Sequence, residues 1–283
     1  MSLKPYIRLM RFDKPIGALL LYWPTLQAIL ISTREHPSWR ILIGFTLGTW
    51  LMRSAGCVAN DMADQRFDAH VKRTADRPLA NGTLRRRQAF PLLLALLASS
   101  ACLLLLYDQR TAQWAIPAVL LAMSYPFMKR WTHFPQIVLG AAFSWSIPMA
   151  FAAAGQQPGA IAFSLFFLSL LWVVAYDTEY AMVDRDDDLR IGVRSTAILF
   201  GHADILIIVM LQMVYLTGMV VLAWFIHMNF LFDLLMPVVA FLFILQYRMI
   251  RGREREQCFK AFLANNRIGM VMTTAVFLGL IPF

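Results

Sequence analysis

Long apolar runs set the pattern of this chain, near residues 15–33, 41–60, 88–107, 112–128, 135–154, 159–177, 203–226, 229–247 and 265–282. Each is close to the roughly 17–25 residues with which a helix crosses the hydrocarbon of a bilayer. The pattern predicts nine membrane-spanning helices joined by short polar segments. Pro117, Pro126 and Pro237 interrupt the fourth and eighth runs, which membrane helices tolerate where neighbours re-satisfy the freed carbonyls.

The basic residues give the layout a direction. With the N-terminus in the cytoplasm, 22 of the 26 Lys and Arg fall in the tail and the gaps 61–87, 129–134, 178–202 and 248–267. Arg34, Arg40 and Arg110 fall on the opposite side, and Arg53 lies inside a run. That asymmetry is the positive-inside pattern, and an odd number of spans puts the C-terminus outside. Composition agrees: 59% hydrophobic and 15% charged residues, against about 45–50% and 25% in soluble domains. The net charge of +9 does not indicate nucleic acid, because the cations sit between apolar runs. Cys57, Cys102 and Cys258 have no paired spacing and five histidines are scattered, so neither a disulfide framework nor a histidine metal site is expected. The segment MSLKPYIRLMRFDKPIG has no signal-peptide core, and a bacterial inner membrane is the expected address.

The acidic residues carry the chemistry. Ten of seventeen fall within Asp61–Asp76 and Asp177–Asp188, both following a span and both on the cytoplasmic side. This is also the one hint of an internal repeat, with halves of about 1–134 and 135–283 within a single domain. If the helix continues past the second run, Asn60, Asp64 and Asp68 share one face at intervals of four, with Asp61 beside them. The second stretch repeats this with Tyr176, Tyr180, Asp184 and Asp188. Carboxylate and amide oxygens suit Mg²⁺, which usually completes its shell with substrate phosphates. Asp76, Asp186 and Asp187 are expected to be merely solvated.

Lys72, Arg73 and Arg77 follow the first stretch and Arg194 the second, placed to hold diphosphate oxygens. Arg85, Arg86, Arg87 and the basic residues of 248–255 read as lipid-facing anchors. Arg53, seven residues before Asn60, shares that helical face about 10 Å deeper. A charge there costs at least ~2.5–3.5 kcal/mol, so it is expected to face the bundle interior, paired with a substrate carboxylate, a structural anion or helix-end carbonyls.

The stretches NDMADQRFDAHVKRTADRPL, YPFMKR and YDTEYAMVDRDDDLRIGVRSTAILFG resemble the UbiA superfamily of intramembrane prenyltransferases, in its branch acting on 4-hydroxybenzoate for ubiquinone biosynthesis. The likeness extends from DKPIGALLLYWPT to REREQCFKAF. It implies an all-α, nine-helix transmembrane bundle around a central cavity that opens toward the cytoplasmic face. It further implies Mg²⁺-dependent transfer from polyprenyl diphosphate to the ring carbon ortho to the hydroxyl of 4-hydroxybenzoate. Carried over by position, Asp64, Asp68, Asp184 and Asp188 are catalytic and hold Mg²⁺ with Asn60 and Asp61. Arg130, with Arg53, Tyr125 and Tyr180, belongs to the acceptor. Tyr180 stands where many relatives have a lysine, so that role passes to Lys129 at the diphosphate. The partners implied are the two substrates and the bilayer, with no nucleic acid and no obligate protein. Other acceptors such as 1,4-dihydroxy-2-naphthoate, or a membrane transporter, are the competing readings.

Overall fold

The structure, a computed structural model, describes residues 3–34 and 36–282. A short helix α1 (Lys4–Leu9) leads into α2 (Ile16–Thr33), α3 (Trp39–Asp68), α4 (Arg86–Leu103), α5 (Gln109–Trp131), α6 (Pro135–Ser144) and α7 (Ser146–Ala153). Then follow α8 (Ala160–Ile191), the short α9 (Thr196–Phe200), α10 (Asp204–Phe225), α11 (Phe230–Ile250) and α12 (Arg255–Leu280). Taking α6 and α7 together, nine helical segments of spanning length lie among the described residues, and eight are also apolar enough to cross a membrane. The exception is α5, which carries the predicted fourth span and keeps Arg110, Lys129 and Arg130 at its ends. The protein is a multi-pass transmembrane helical bundle.

Local chemistry explains the boundaries. Ser38 caps α3 by accepting from the Ile41 amide at 3.4 Å, Asp108 caps α5 from Thr111 at 3.0 Å, and Asn229 caps α11 from Leu231 at 2.8 Å. Pro148 has no N–H to offer the Ser144 carbonyl, and the fifth span breaks into α6 and α7 at Trp145. Nothing comparable interrupts α3 or α8, which run for 30 and 32 residues. α8 stops at Gly192, whose φ of 73° is the left-handed conformation a glycine adopts freely. Two expected loops are therefore largely helix. Residues 178–191 extend α8, and α12 starts at Arg255 rather than 265, so Arg255, Lys260 and Arg267 lie on a helix.

α8 packs against α6, α10 and α12, while α12 also packs on α2 and α11. Trp172, Tyr176 and Tyr215 are fully buried in this half, with Trp172 and Tyr215 stacked at 5.6 Å. Gly269 of α12 allows the approach to α2, since a Cβ there would come within 2.3 Å of Trp23. Gly269→Val therefore overpacks this contact and is expected to cost about 1–3 kcal/mol, read as a lower unfolding temperature in detergent. α4 is different. It buries Ala89, Leu93 and Leu96 against α3 and leaves Phe90 and Leu94 outward, as a lipid-facing helix does. α5 packs on α3, α6 and α7, but α4 and α5 do not pack along each other.

Candidate functional site

The first acidic stretch as far as Asp68 and the whole of the second lie at the C-terminal ends of the long helices α3 and α8. These helices do not pack on each other and are joined here by side chains of the segment between α3 and α4. The segment after α3 turns back across them. Its Thr74 hydroxyl donates to the Asp68 carbonyl at 2.9 Å, which holds Arg73 and Arg77 over the two helices. Arg77 Nη1 reaches Asp61 at 3.0 Å and Asp68 at 2.8 Å. Arg73 Nε donates to the two Asp184 oxygens at 3.0 and 3.1 Å, and its guanidinium lies 4.5 Å above the Tyr180 ring. Burial works against the charge on Arg77, but Asp61 and Asp68 outweigh it and raise its pKa. The same balance, with Tyr180 and Asp184 as the opposing groups, raises that of Arg73.

The carboxylates are sunk below the surface: Asp64 is 0% exposed, Asp61 1%, Asp68 5% and Asp184 9%. Lys129, from the end of α5, pairs with Asp64. The N-terminal segment adds a cation that sequence reasoning missed. Arg11 Nη2 donates to both Asp61 oxygens at 3.0 and 2.9 Å. No helical register connects Arg11 to the motif, so spacing offered no signal; its positive φ of 60° marks the bend that delivers it.

An all-oxygen donor set of this kind fits a hard cation such as Mg²⁺. Both Asp64 oxygens are buried, yet neither accepts a well-formed hydrogen bond. Among the described residues no three acidic side chains converge into a ready-made cage. A cation held by one or two carboxylates and completed by phosphate oxygens suits that arrangement.

A cavity of about 1080 Å³ runs inward from this cluster. Its polar end includes Asn60, Asp61, Arg73 and Arg77, with Tyr180 beside them. Arg53, Tyr125, Tyr176 and Asp177 line it deeper. Arg53 does face the interior. Its guanidinium lies 5.7 Å from the Phe143 ring and its buried Nε has no hydrogen-bond partner. Gly17 makes the room, since a Cβ there would come within 2.6 Å of the guanidinium. The far part of the cavity is apolar. Leu97 and Ala101 of α4 and Leu104 just beyond it line this part with Ala115, Ala118 and Ala122 of α5, where those helices are unpacked.

Other expected site residues lie off the cavity wall. Arg130 donates to the Ala63 carbonyl at 2.7 Å, stands 3.7 Å from Asp64 and lies against the Phe67 and Phe127 rings. Arg194 donates to the Trp131 carbonyl at 2.7 Å, and Lys72 is exposed. Asp188 sits one turn past Asp184 on α8. For Asp187, Arg253 and Arg255 the expectation of mere solvation or lipid anchoring is corrected, while Asp186 stays mostly exposed as expected. Arg255 binds Asp186 and Asp187, each at 3.0 Å, and Arg253 binds the buried Asp204 at 2.8 Å. These pairs tie the end of α8 and the start of α10 to the α11–α12 turn. Glu179 was part of the second stretch but faces away from the cavity, accepting from Asn265 at 2.9 Å and Gln212 at 3.3 Å.

Residues 21–272 match the UbiA prenyltransferase family. The chain is 52% identical to the 4-hydroxybenzoate octaprenyltransferase of Citrobacter koseri, over 99% of this chain and 95% of that one. It is 51% identical to the enzyme of the same name from Vibrio parahaemolyticus, over 95% of each. Among solved structures it resembles the apo form of a UbiA homolog from Aeropyrum pernix K1, with a TM-score of 0.82 at 20% identity over 94% and 99% of the two chains. It also resembles a UbiA homolog from Archaeoglobus fulgidus bound to GPP and Mg²⁺, with a TM-score of 0.75 at 17% identity over 98% and 99%.

Proposed function

Because the chain belongs to the UbiA prenyltransferase family, we propose that it moves a polyprenyl group from its diphosphate to the carbon ortho to the hydroxyl of 4-hydroxybenzoate, with Mg²⁺ as cofactor. The observation that carries the acceptor class is Arg53, a cation with a buried, unpartnered Nε in the cavity two helical turns below the carboxylates. A carboxylic acid supplies its missing partner.

In this reading Asn60, Asp61, Asp64, Asp68, Asp184 and Asp188 hold Mg²⁺ at the diphosphate, and the bound ion neutralises the leaving group's charge. Arg73, Arg77 and Lys129 now neutralise carboxylates. With substrate bound they are near enough to donate to diphosphate oxygens instead, favouring departure of the leaving group. Lys72 and Arg194 stand further out and contribute long-range attraction for the anion. Arg130, held beside Asp64, orients that carboxylate rather than touching the acceptor. Tyr125 is placed to offer its ring to the allylic cation, the Tyr180 face being held by Arg73, and the apolar walls keep water from the cation. The polyprenyl tail follows the apolar arm of the cavity and leaves laterally between α4 and α5, so it need not cross water.

The test is an assay of purified protein with polyprenyl diphosphate, Mg²⁺ and a panel of aromatic acids. Prenylated 4-hydroxybenzoate, identified by mass, is the expected product. Faster transfer to 1,4-dihydroxy-2-naphthoate, or no transfer at all, overturns the acceptor assignment.

The same reading places the protein in a bacterial inner membrane, with residues 61–87 in the cytoplasm and the C-terminus in the periplasm. A periplasm-active reporter is expected to be silent when fused after Asn81 and active at the C-terminus. Activity at both points breaks the nine-span arrangement.

A further inference from the structure

The cavity holds one charge of each sign at equal depth below the two acidic clusters. Arg53 lies seven residues before Asn60 on α3, and Asp177 lies seven residues before Asp184 on α8. At 1.5 Å per residue each is about 10 Å below the acidic end of its own helix. Both line the cavity, and Asp177 is only 8% exposed.

Opposite charges lining one cavity in a membrane bundle would be expected to pair, yet these two form no ion pair. Arg53 is the cation whose field acts most strongly on Asp177. Even so, the Asp177 side chain lines the cavity with no hydrogen bond or ion pair among the described residues, and the buried Arg53 Nε has no hydrogen-bond partner. The adjacent Tyr176 hydroxyl, also on the cavity, is buried and unpartnered. Leaving buried polar groups and charges uncompensated is costly. A ligand lying between them relieves all three if it has an anion at one end and an O–H donor at the other. In 4-hydroxybenzoate a carboxylate and a phenolic O–H stand at opposite ends of one ring.

We propose that Asp177 is the general base that receives the phenolic proton of the acceptor while Arg53 holds its carboxylate. This rests on the reading of the acceptor given above and adds the proton's destination. As the allylic C–O bond breaks, its electron pair leaves with the diphosphate. The phenolic proton passes to the Asp177 carboxylate, and the ring's electron pair forms the new C–C bond at the ortho carbon. The hydrogen displaced from that carbon leaves as a proton to the departing diphosphate, restoring the ring. Asp177 then returns its proton to the phenolic oxygen. The balance is acceptor plus polyprenyl diphosphate giving prenylated acceptor plus protonated diphosphate, with the enzyme unchanged. Tyr176 is placed to donate to the phenoxide while it lasts.

The competing role for Asp177 is to hold Arg53 in position, and the two roles separate kinetically. Asp177→Asn keeps shape and hydrogen-bonding capacity while removing the base. The variant and the wild type are assayed with polyprenyl diphosphate, Mg²⁺ and either 4-hydroxybenzoate or its 3-fluoro derivative, whose phenol is more acidic and keeps one free ortho carbon. With 4-hydroxybenzoate, kcat is expected to fall by roughly 10²–10⁴-fold, the usual contribution of a general base. The KM values for both substrates should change by no more than a few-fold. The variant-to-wild-type deficit should shrink about tenfold or more with the fluorinated acceptor, because a more acidic phenol needs less help. Retained binding of polyprenyl diphosphate shows that the variant folds. If it does not, Asp177→Glu keeps a base one methylene away and should recover activity above that of Asn.

A normal kcat in Asp177→Asn, a loss confined to the acceptor's KM, or an equal deficit with both acceptors overturns the proposal. Failure of the wild type itself to prenylate 4-hydroxybenzoate removes the acceptor reading, a distinguishable result.

Discussion

Asp64→Asn is expected to abolish prenyl transfer while leaving a folded, membrane-inserted protein. Asp64 is fully buried, pairs with Lys129 and leaves both oxygens without a well-formed hydrogen bond. Asparagine keeps its shape but not the charge that a metal–diphosphate complex requires. Metal-ion stabilisation of a leaving group is worth several kcal/mol. At about 1.4 kcal/mol per factor of ten, loss of one carboxylate that holds the ion lowers kcat by ~10³-fold or more. Asp184→Asn, across the cluster on α8, should behave alike, and EDTA should abolish transfer reversibly with Mg²⁺ restoring it. Rates are followed as product mass, and folding as the unfolding temperature in detergent. Substantial transfer in EDTA, or by either variant, removes the two-cluster mechanism.

Arg53→Ala is expected to act on the acceptor alone. Removing one partner of a buried ion pair typically costs ~3–5 kcal/mol, mostly by stranding the other charge. kcat/KM for 4-hydroxybenzoate should therefore fall by roughly two to three orders of magnitude. The KM for polyprenyl diphosphate should change far less, because the Arg73 and Arg77 contacts are two turns away. Arg53→Lys restores part of the loss, since an ammonium lacks the planar fork. Arg130→Ala provides the contrast. Its side chain is committed to the Ala63 carbonyl and Asp64, so it should lower kcat with little change in the acceptor's KM. Titrating each substrate separately against both variants decides the matter. If Arg53→Ala keeps normal acceptor kinetics, or if Arg130→Ala raises the acceptor's KM more than Arg53→Ala does, the carboxylate is read elsewhere.

Much of this was legible in the residues, and the reasons are local. Apolar runs of bilayer length report spans because a backbone in lipid must satisfy its own hydrogen bonds. Intervals of four and seven report one helical face because the period of a helix is a property of the backbone. Asn60, Asp64 and Asp68 thus share a face by their spacing alone, with Arg53 two turns beneath them. The same rule failed where the helix's orientation was unknown. Asp177 and Glu179 are two residues apart, so about 200° around α8, and spacing alone does not say which one meets the cavity. Packing against α10 and α12 decides it, sending Glu179 to Gln212 and Asn265 and leaving Asp177 inside.

What the sequence by itself determined was therefore the membrane class, the approximate spans and the carboxylates that share a helix. Each depends on residues within a few turns of one another. What only the tertiary structure decided were the pairings between distant segments: Arg11 with Asp61, Arg73 with Asp184, Lys129 with Asp64, and Arg255 with Asp186 and Asp187. A long cationic side chain pairs with whichever carboxylate the packed helices bring within its reach, and its neighbours along the chain do not specify that distance. The cavity follows the same logic. Its apolar arm exists because α4 and α5 both rest on α3 without closing on each other, a relation between three helix axes that no single stretch of residues encodes.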